Sequence, residues 1–243
     1  MPSTVVLTST TFKIENNVTF GKHKPNANGG YDIELTIGDG VDDIVLQTPK
    51  MRSPFGLSTD KTNPFKKSLD ISFQGIETND SIKSFRTLVE TMDDTAIDYA
   101  VKNSEAFFKK KLSREVIAEY YCSGIKKSKK EQYADTFKFK LPFWRPNPEK
   151  NLPDGKFNVL FWDSKQKAQN SAYLDKGDCV SAIIKPKSIW VGNRGFGIIW
   201  NCSQVMIYKQ NKNSKFAFVK TEESETEEEL SESEEEVEVE VDA

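Results

Sequence analysis

The sequence predicts a mainly β fold: an antiparallel sheet closing into a small barrel, with an inserted helical segment and an acidic tail that forms no core. Three observations carry this. Short runs of alternating or β-branched residues recur along most of the 243 residues, separated by turn signals. Only residues from about 79 to 124 show apolar spacing of three and four. Residues 222–243 hold twelve Glu and Asp242 and no Lys or Arg, so that stretch repels itself and is expected to be disordered. The expected division is residues 1–220 as one domain and 221–243 as tail.

Residues 4–15 supply one or two strands through Val5, Leu7, Phe12 and Ile14. Residues 21–30, rich in Lys, Asn and Gly, are expected as a loop. Tyr31, Ile33, Leu35 and Ile37 share one face of the next strand, which should form a hairpin with residues 44–47 across Gly38-Asp39-Gly40. A long polar loop to Lys67 then carries Lys50, Arg52, Lys61, Lys66 and Lys67 around Phe55 and Phe65. Residues 69–74 alternate again.

Asn79 or Asp80 can cap a helix whose apolar side is Ile82, Phe85, Leu88, Val89, Met92, Ala96, Ile97 and Ala100. Glu90, Asp93, Asp94 and Asp98 are expected on its solvated side. A second helix should start near Ser113, bury Val116, Ile117, Tyr120 and Tyr121, and stop at Gly124. Lysines crowd both ends of it, including Lys126 and Lys127.

In the strand from Thr136 to Leu141, Phe137, Phe139 and Leu141 take one face, and Lys138 and Lys140 the other. A sheet that greets a polyanion needs such a strand. The following Pro142-Phe143-Trp144-Arg145-Pro146 is too proline-rich for a strand interior. Trp144 with Arg145 is either a base-stacking pair or a plug over the core edge. Residues 157–163 form a strand, with Phe157, Val159 and Phe161 opposite Leu160 and Trp162.

Residues 178–209 are the most strongly β-coded stretch. Gly192-Asn193-Arg194-Gly195 tolerates positive φ between two runs rich in Val, Ile and Trp, so a hairpin is expected. Pro186 has no backbone donor and should lie at a strand break or an edge. Trp200 is expected in the core. A turn from Lys209 and a short strand from Phe216 to Val219 should end the domain. Eight or nine strands with one helical insertion suit the five-stranded barrel class that binds oligonucleotides, with a two-sheet sandwich as the alternative.

The net charge of −3 hides a division. Thirteen of the 37 acidic groups lie in the tail, leaving 24 against 34 basic ones, so residues 1–221 carry about +10. A cationic body attracts polyanions. The tail either keeps the protein soluble or competes with a nucleic acid for the body's cations.

Cys122, Cys179 and Cys202 are odd in number and widely spaced, which argues for reduced thiols and matches no zinc pattern. His23, the single histidine, is expected to be a loop residue. With no phosphate loop, metal cluster or usable histidine, an enzyme is not expected, and no cofactor is implied. No apolar run approaches the roughly 20 residues that span a bilayer. The N-terminal residues lack a signal-peptide pattern, so an intracellular location is expected.

Three stretches carry a resemblance to a known family. They are Ile189-Trp190-Val191 with Gly195-Phe196-Gly197-Ile198-Ile199-Trp200 and Gln204-Val205-Met206-Ile207; Gln47-Thr48-Pro49-Lys50-Met51 with Pro54-Phe55-Gly56-Leu57; and the 157–163 strand. Together they resemble the single-stranded-DNA-binding protein family of nucleocytoplasmic large DNA viruses. The resemblance implies an OB-fold barrel that coats single-stranded DNA without base choice, in the host cytoplasm or nucleus. The acidic tail is similar in kind to those of phage and bacterial single-strand binders, which implies replication proteins as partners reached through it. Matching positions are the Pro49/Phe55 loop and the Trp190–Trp200 hairpin.

The residues expected to bind nucleic acid are therefore Lys50, Arg52, Phe55, Phe65, Lys66, Lys67, Lys126, Lys127, Lys138, Lys140, Trp144, Arg145, Trp162, Trp190 and Arg194. Cations would pair with phosphates and exposed rings would stack on bases. A packaging protein for virion DNA and a chaperone for basic proteins are the other classes considered.

Overall fold

A computed structural model describes residues 6–9, 11, 18–26, 29–38, 42–150 and 152–210. The acidic tail and the expected 216–219 strand lie outside the described residues, as do Val5, Phe12 and Ile14.

The strand pairings close a ring. Cys179–Gly192 pairs with Met51–Arg52, which pairs with Lys67–Ser72, which pairs with Thr136–Leu141. The ring closes through Gly195–Tyr208, joined to Thr136–Leu141 in parallel at Lys140↔Asn201 and to Cys179–Gly192 as a long antiparallel hairpin. This is a closed five-stranded barrel of the OB type, and closure leaves its central strands no open edge. Shorter strands extend it, giving sixteen strand segments among the described residues, more than the eight or nine expected. Several are only two residues long and carry no readable alternation.

Alternation decides what faces inward. Along Thr136–Leu141, Phe137, Phe139 and Leu141 are buried while Lys138 and Lys140 are exposed, as the period-2 pattern requires. Leu69, Ile71, Val180, Ile184, Trp200, Val205 and Ile207 fill the interior with them. Trp200 is thus a core residue. Phe137 meets Trp200 and Phe85 edge to face at centroid distances of 5.3 and 5.4 Å.

Phe85 belongs to α1, Asp80–Lys102, which closes one side of the barrel with every expected apolar residue buried. The Asn79 side chain caps α1 by accepting from the Ser81 and Ile82 amides at 3.0 and 3.2 Å. Two short helices follow, α2 at Ser104–Phe108 and α3 at Arg114–Glu119. α3 is shorter than expected: Ile117 is buried, but Val116 and Tyr120 are 39 % and 43 % exposed. The chain leaves the helix at Tyr120 because Tyr121 and Cys122 pair with Phe196 on the sheet.

Four other expectations are corrected. Residues 21–30 are not all loop: Val18–Pro25 is a strand on Tyr31–Ile37, with an irregularity between Phe20 and His23 that hides its period. His23 is no loop residue; it is half-buried with Nε2 2.9 Å from the Tyr99 hydroxyl, inside an aromatic cluster with Tyr31 and Phe107. The hairpin partner of Tyr31–Ile37 is Asp42–Asp43, while Leu46–Gln47 crosses to Ile183 and Ile184. Pro186 interrupts no strand: it sits at a register shift between Pro186 and Ser188, where a bulge removes the need for its missing amide hydrogen.

The acidic side of α1 holds a further correction. Asp93 is not solvated but 7 % exposed, accepting from the Tyr121 hydroxyl and the Ser123 hydroxyl at 2.5 Å each. Burial pushes its carboxyl up to about 6, against the two hydroxyl donors that pull it down. Asp94 and Asp98 are solvated and hold Arg114 at 2.7 and 2.8 Å.

Candidate nucleic-acid interface

The outer face of the barrel carries a row of four residues in direct register across four strands. Ser58 pairs with Ser68, Ser68 with Lys140, and Lys140 with Asn201. All four line one groove of about 460 Å³. A second hollow, about 330 Å³, shares Lys140 and Asn201 and continues to Lys187 and Lys24. The two form one path over the sheet.

One wall of the groove is an aromatic arm. Phe143–Trp144 and Lys156–Phe157 form a two-stranded ladder of their own. Gly155 makes the tight approach possible: its φ is +74°, and a Cβ there would lie 2.5 Å from the Trp144 carbonyl and 2.7 Å from the Phe143 ring. Phe143 packs on Phe157 at 5.0 Å, and Phe157 on Phe161 at 5.6 Å, so the arm is anchored to the core. Phe65 lies parallel to Phe143 at 6.5 Å. Arg145 covers Phe65 at 5.3 Å and Lys67 covers Phe143 at 5.6 Å. Trp144 stands 51 % exposed above this layer. It is not a plug, because its ring faces water.

The cations of this face divide: Lys24 is held by Glu34 at 3.1 Å and Lys67 donates to the Thr59 hydroxyl at 3.0 Å, while others have no such partner. Among the described residues no carboxylate comes within 4.0 Å of Lys66, Lys140 or Lys187, and Lys138 reaches only Asp70, at 3.9 Å. Partial desolvation in the groove and the like charges of Lys66 and Lys187 hold the Lys140 ammonium below the ordinary lysine value. Asp70, beneath Lys138, is raised by burial, with Lys138 and Lys126 opposing. An anion over this face would satisfy several charges at once.

Ten chains among solved structures, or more, share recognisable similarity with this fold. One is gp2.5, a single-stranded DNA binding protein encoded by bacteriophage T7, at 16 % identity and a TM-score of 0.46, covering 76 % of this chain and 94 % of that one. A second is the single-stranded DNA-binding protein from bacteriophage Enc34, at 11 % identity and a TM-score of 0.43, covering 85 % and 99 %. The same phage protein in complex with single-stranded DNA gives 15 % identity, a TM-score of 0.41, and 80 % and 97 % coverage. No protein-family model and no curated protein matches the chain. Function is therefore read from this chain's own residues.

Seven of the fifteen expected residues converge here. Phe65, Lys66, Lys67, Lys138, Lys140 and Trp144 line the groove, and Arg145 reaches it through Phe65. Lys126 stands across from Thr136 beside the same Asp70, and Lys127 follows it in an exposed loop. The others lie elsewhere. Lys50 covers Tyr208 at 4.4 Å, Arg52 reaches Gln74 at 3.5 Å, and Phe55 is 55 % exposed in a separate turn. The Trp162 indole donates to Gln204 at 3.1 Å. Trp190 pairs with Asp32, which lines the second hollow, and Arg194 is exposed at the hairpin turn.

Sequence reasoning missed Ser58, Ser68, Asn201, Lys24 and Lys187. Lys187 continues the outward alternation of the strand from Cys179, which breaks only after it, at the register shift between Pro186 and Ser188. Ser58, Ser68 and Asn201 join the site only through strand register, which no local pattern reveals. The described residues contain no cluster of His, Cys, Asp or Glu suited to a metal, and the three cysteines are free. None of the described helices is long and apolar enough to cross a membrane.

Proposed function

We propose that this chain binds single-stranded DNA without base choice, in the replication, recombination or repair of a large DNA virus. The observation that carries the reading is the groove: Lys66, Lys138 and Lys140, of which Lys138 alone has a carboxylate within 4.0 Å among the described residues, converge beside an exposed indole on an arm fixed to the core. Lysines 66, 138, 140 and 187 would neutralise phosphates and release their counterions. Trp144 and Phe65 would stack on bases, at about 1–3 kcal/mol each and with little sequence preference. Stacking needs unpaired bases, so single strands should bind ahead of duplex. The sequence resemblance described above supports the viral setting.

In the same proposal the tail lowers affinity, its thirteen carboxylates competing with phosphates for the body's cationic charge, or it recruits replication proteins. Deleting residues 222–243 should tighten binding at low salt. Unchanged affinity would leave recruitment as its role.

The test of the groove is the Trp144→Ala, Arg145→Ala double variant titrated with oligo-dT by fluorescence anisotropy. Affinity should fall about tenfold or more, the loss of one stacking contact and one cation. The melting temperature should hold, because both side chains are exposed. Unchanged affinity would reject the assignment.

A further inference from the structure

The outer face that forms the groove does not end at Asn201. Thr136–Leu141 flanks Gly195–Tyr208 as far as Asn201, and from Gln204 onward Leu160–Asp163 flanks it in the same parallel sense. Their outward residues are Leu160, opposite Gln204, and Trp162, opposite Met206. Val159 before them and Phe161 between them are buried. Leu160 is 56 % exposed, the most exposed leucine or isoleucine of the described barrel. Cations border this apolar strip: Lys50 lies over Tyr208, and Lys165 stands in the turn after Asp163. Neither makes an ion pair among the described residues.

Resting on the groove reading, we infer that a bound strand continues past Asn201 over this face, with Trp162 as a second stacking point and Lys50 and Lys165 as further phosphate contacts. A polyanion is the occupant that fits, since the strip continues the groove's own strand face and is bordered by cations that make no ion pair among the described residues. The step from Asn201 to Met206 is five residues, or roughly 17 Å at strand rise. That length accommodates about five further nucleotides at duplex-like phosphate spacing, and fewer if the strand is extended.

The experiment compares oligo-dT of about 6 and about 16 nucleotides, which lie toward the two ends of the roughly 4–16 nucleotides that single barrels of this class occupy. Trp162→Ala with Lys50→Ala should leave the short oligomer within twofold of wild type and weaken the long one about tenfold. Trp144→Ala with Arg145→Ala should weaken both. Lys50→Glu with Lys165→Glu, two exposed positions whose change does not threaten folding, should also act on the long oligomer alone and flatten its salt dependence by about 0.7 per lost contact. If the Lys50 and Lys165 variant binds the long oligomer as wild type does, the extension is wrong while the groove stands. If the wild-type protein binds neither oligomer, the groove reading itself fails. A long-oligomer defect that appears only together with loss of self-association in sedimentation would make this strip a contact between copies and overturn the inference.

Discussion

The lysines of the groove and the arginines of the helical insertion hold their charge in opposite ways. In the insertion both arginines are matched: Arg114 holds Asp94 and Asp98, and Arg86 holds Glu90 at 2.9 Å and Asp135 at 3.0 Å. In the groove Lys66, Lys140 and Lys187 have no such partner. Each region also buries one carboxylate to 7 % exposure. Asp70 lies beneath lysines, whereas Asp93 is held by two hydroxyls, with Glu90 and Asp94 adding like charge. The insertion's two arginines join its helices to one another and to the sheet, and the groove's lysines are left for something else. The insertion's Lys109 and Lys110 likewise make no ion pair among the described residues, so what sets the groove apart is the convergence of its lysines beside aromatic rings.

Charge reversal is the strongest way to break this contrast. Lys138→Glu with Lys140→Glu puts two anions on the strand face and should lower oligo-dT affinity by about a hundredfold or more at low salt. Lys109→Glu with Lys110→Glu in the insertion changes the net charge equally. If the two regions differ as described, it should change affinity no more than about threefold, the share of long-range field alone. Equal losses in an anisotropy titration would mean that net charge, and not the groove, governs binding.

Asp93 sharpens the other half. Its carboxyl rises from 3.8 to about 6 on folding. A raised carboxylate favours the folded state when protonated, so the contribution is fully present below about pH 4 and is lost as pH climbs through 6. The span corresponds to about 2–3 kcal/mol. Asp93→Asn removes the titrating group and keeps an acceptor for Tyr121 or Ser123. Its stability relative to wild type should therefore improve by about 2 kcal/mol between pH 4 and pH 7, measured by urea unfolding. A difference that does not vary with pH would mean that Asp93 keeps an ordinary value.

The parts legible in the sequence were those with a local signal. The Thr136–Leu141 alternation, the Cys179–Tyr208 hairpin, the Asn79 cap and the apolar face of α1 all follow from spacing that a single segment contains. What escaped depends on other segments. Asp93 looked solvated because its burial comes from Tyr121 and Ser123, 28 and 30 residues away. Val18–Pro25 looked like loop because its irregularity broke the period. Of the expected site, residues on or next to Lys67–Ser72 and Thr136–Leu141 gathered in the groove, while Trp162 and Trp190, on other strands, did not. Phe55 and Arg194, chosen for exposure and family position, did not.

The smallest expected effect separates Lys140 from the lysines around it. Its ammonium is held below the usual lysine value, chiefly by desolvation and then by Lys66 and Lys187. Lys138, one step along the same strand face, has Asp70 beneath it. As pH rises toward the lysine range, Lys140 should lose its proton first, and one phosphate contact should go with it. Bound DNA opposes this by supplying negative charge, so the affinity loss should be a few-fold only, with a salt dependence flatter by about 0.7. Lys140→Arg keeps its charge throughout that range and should remove the alkaline loss while leaving neutral-pH affinity nearly unchanged. If the arginine variant loses affinity with pH as steeply as wild type, the titrating cation lies elsewhere, and the junction of the two hollows is not where a phosphate sits.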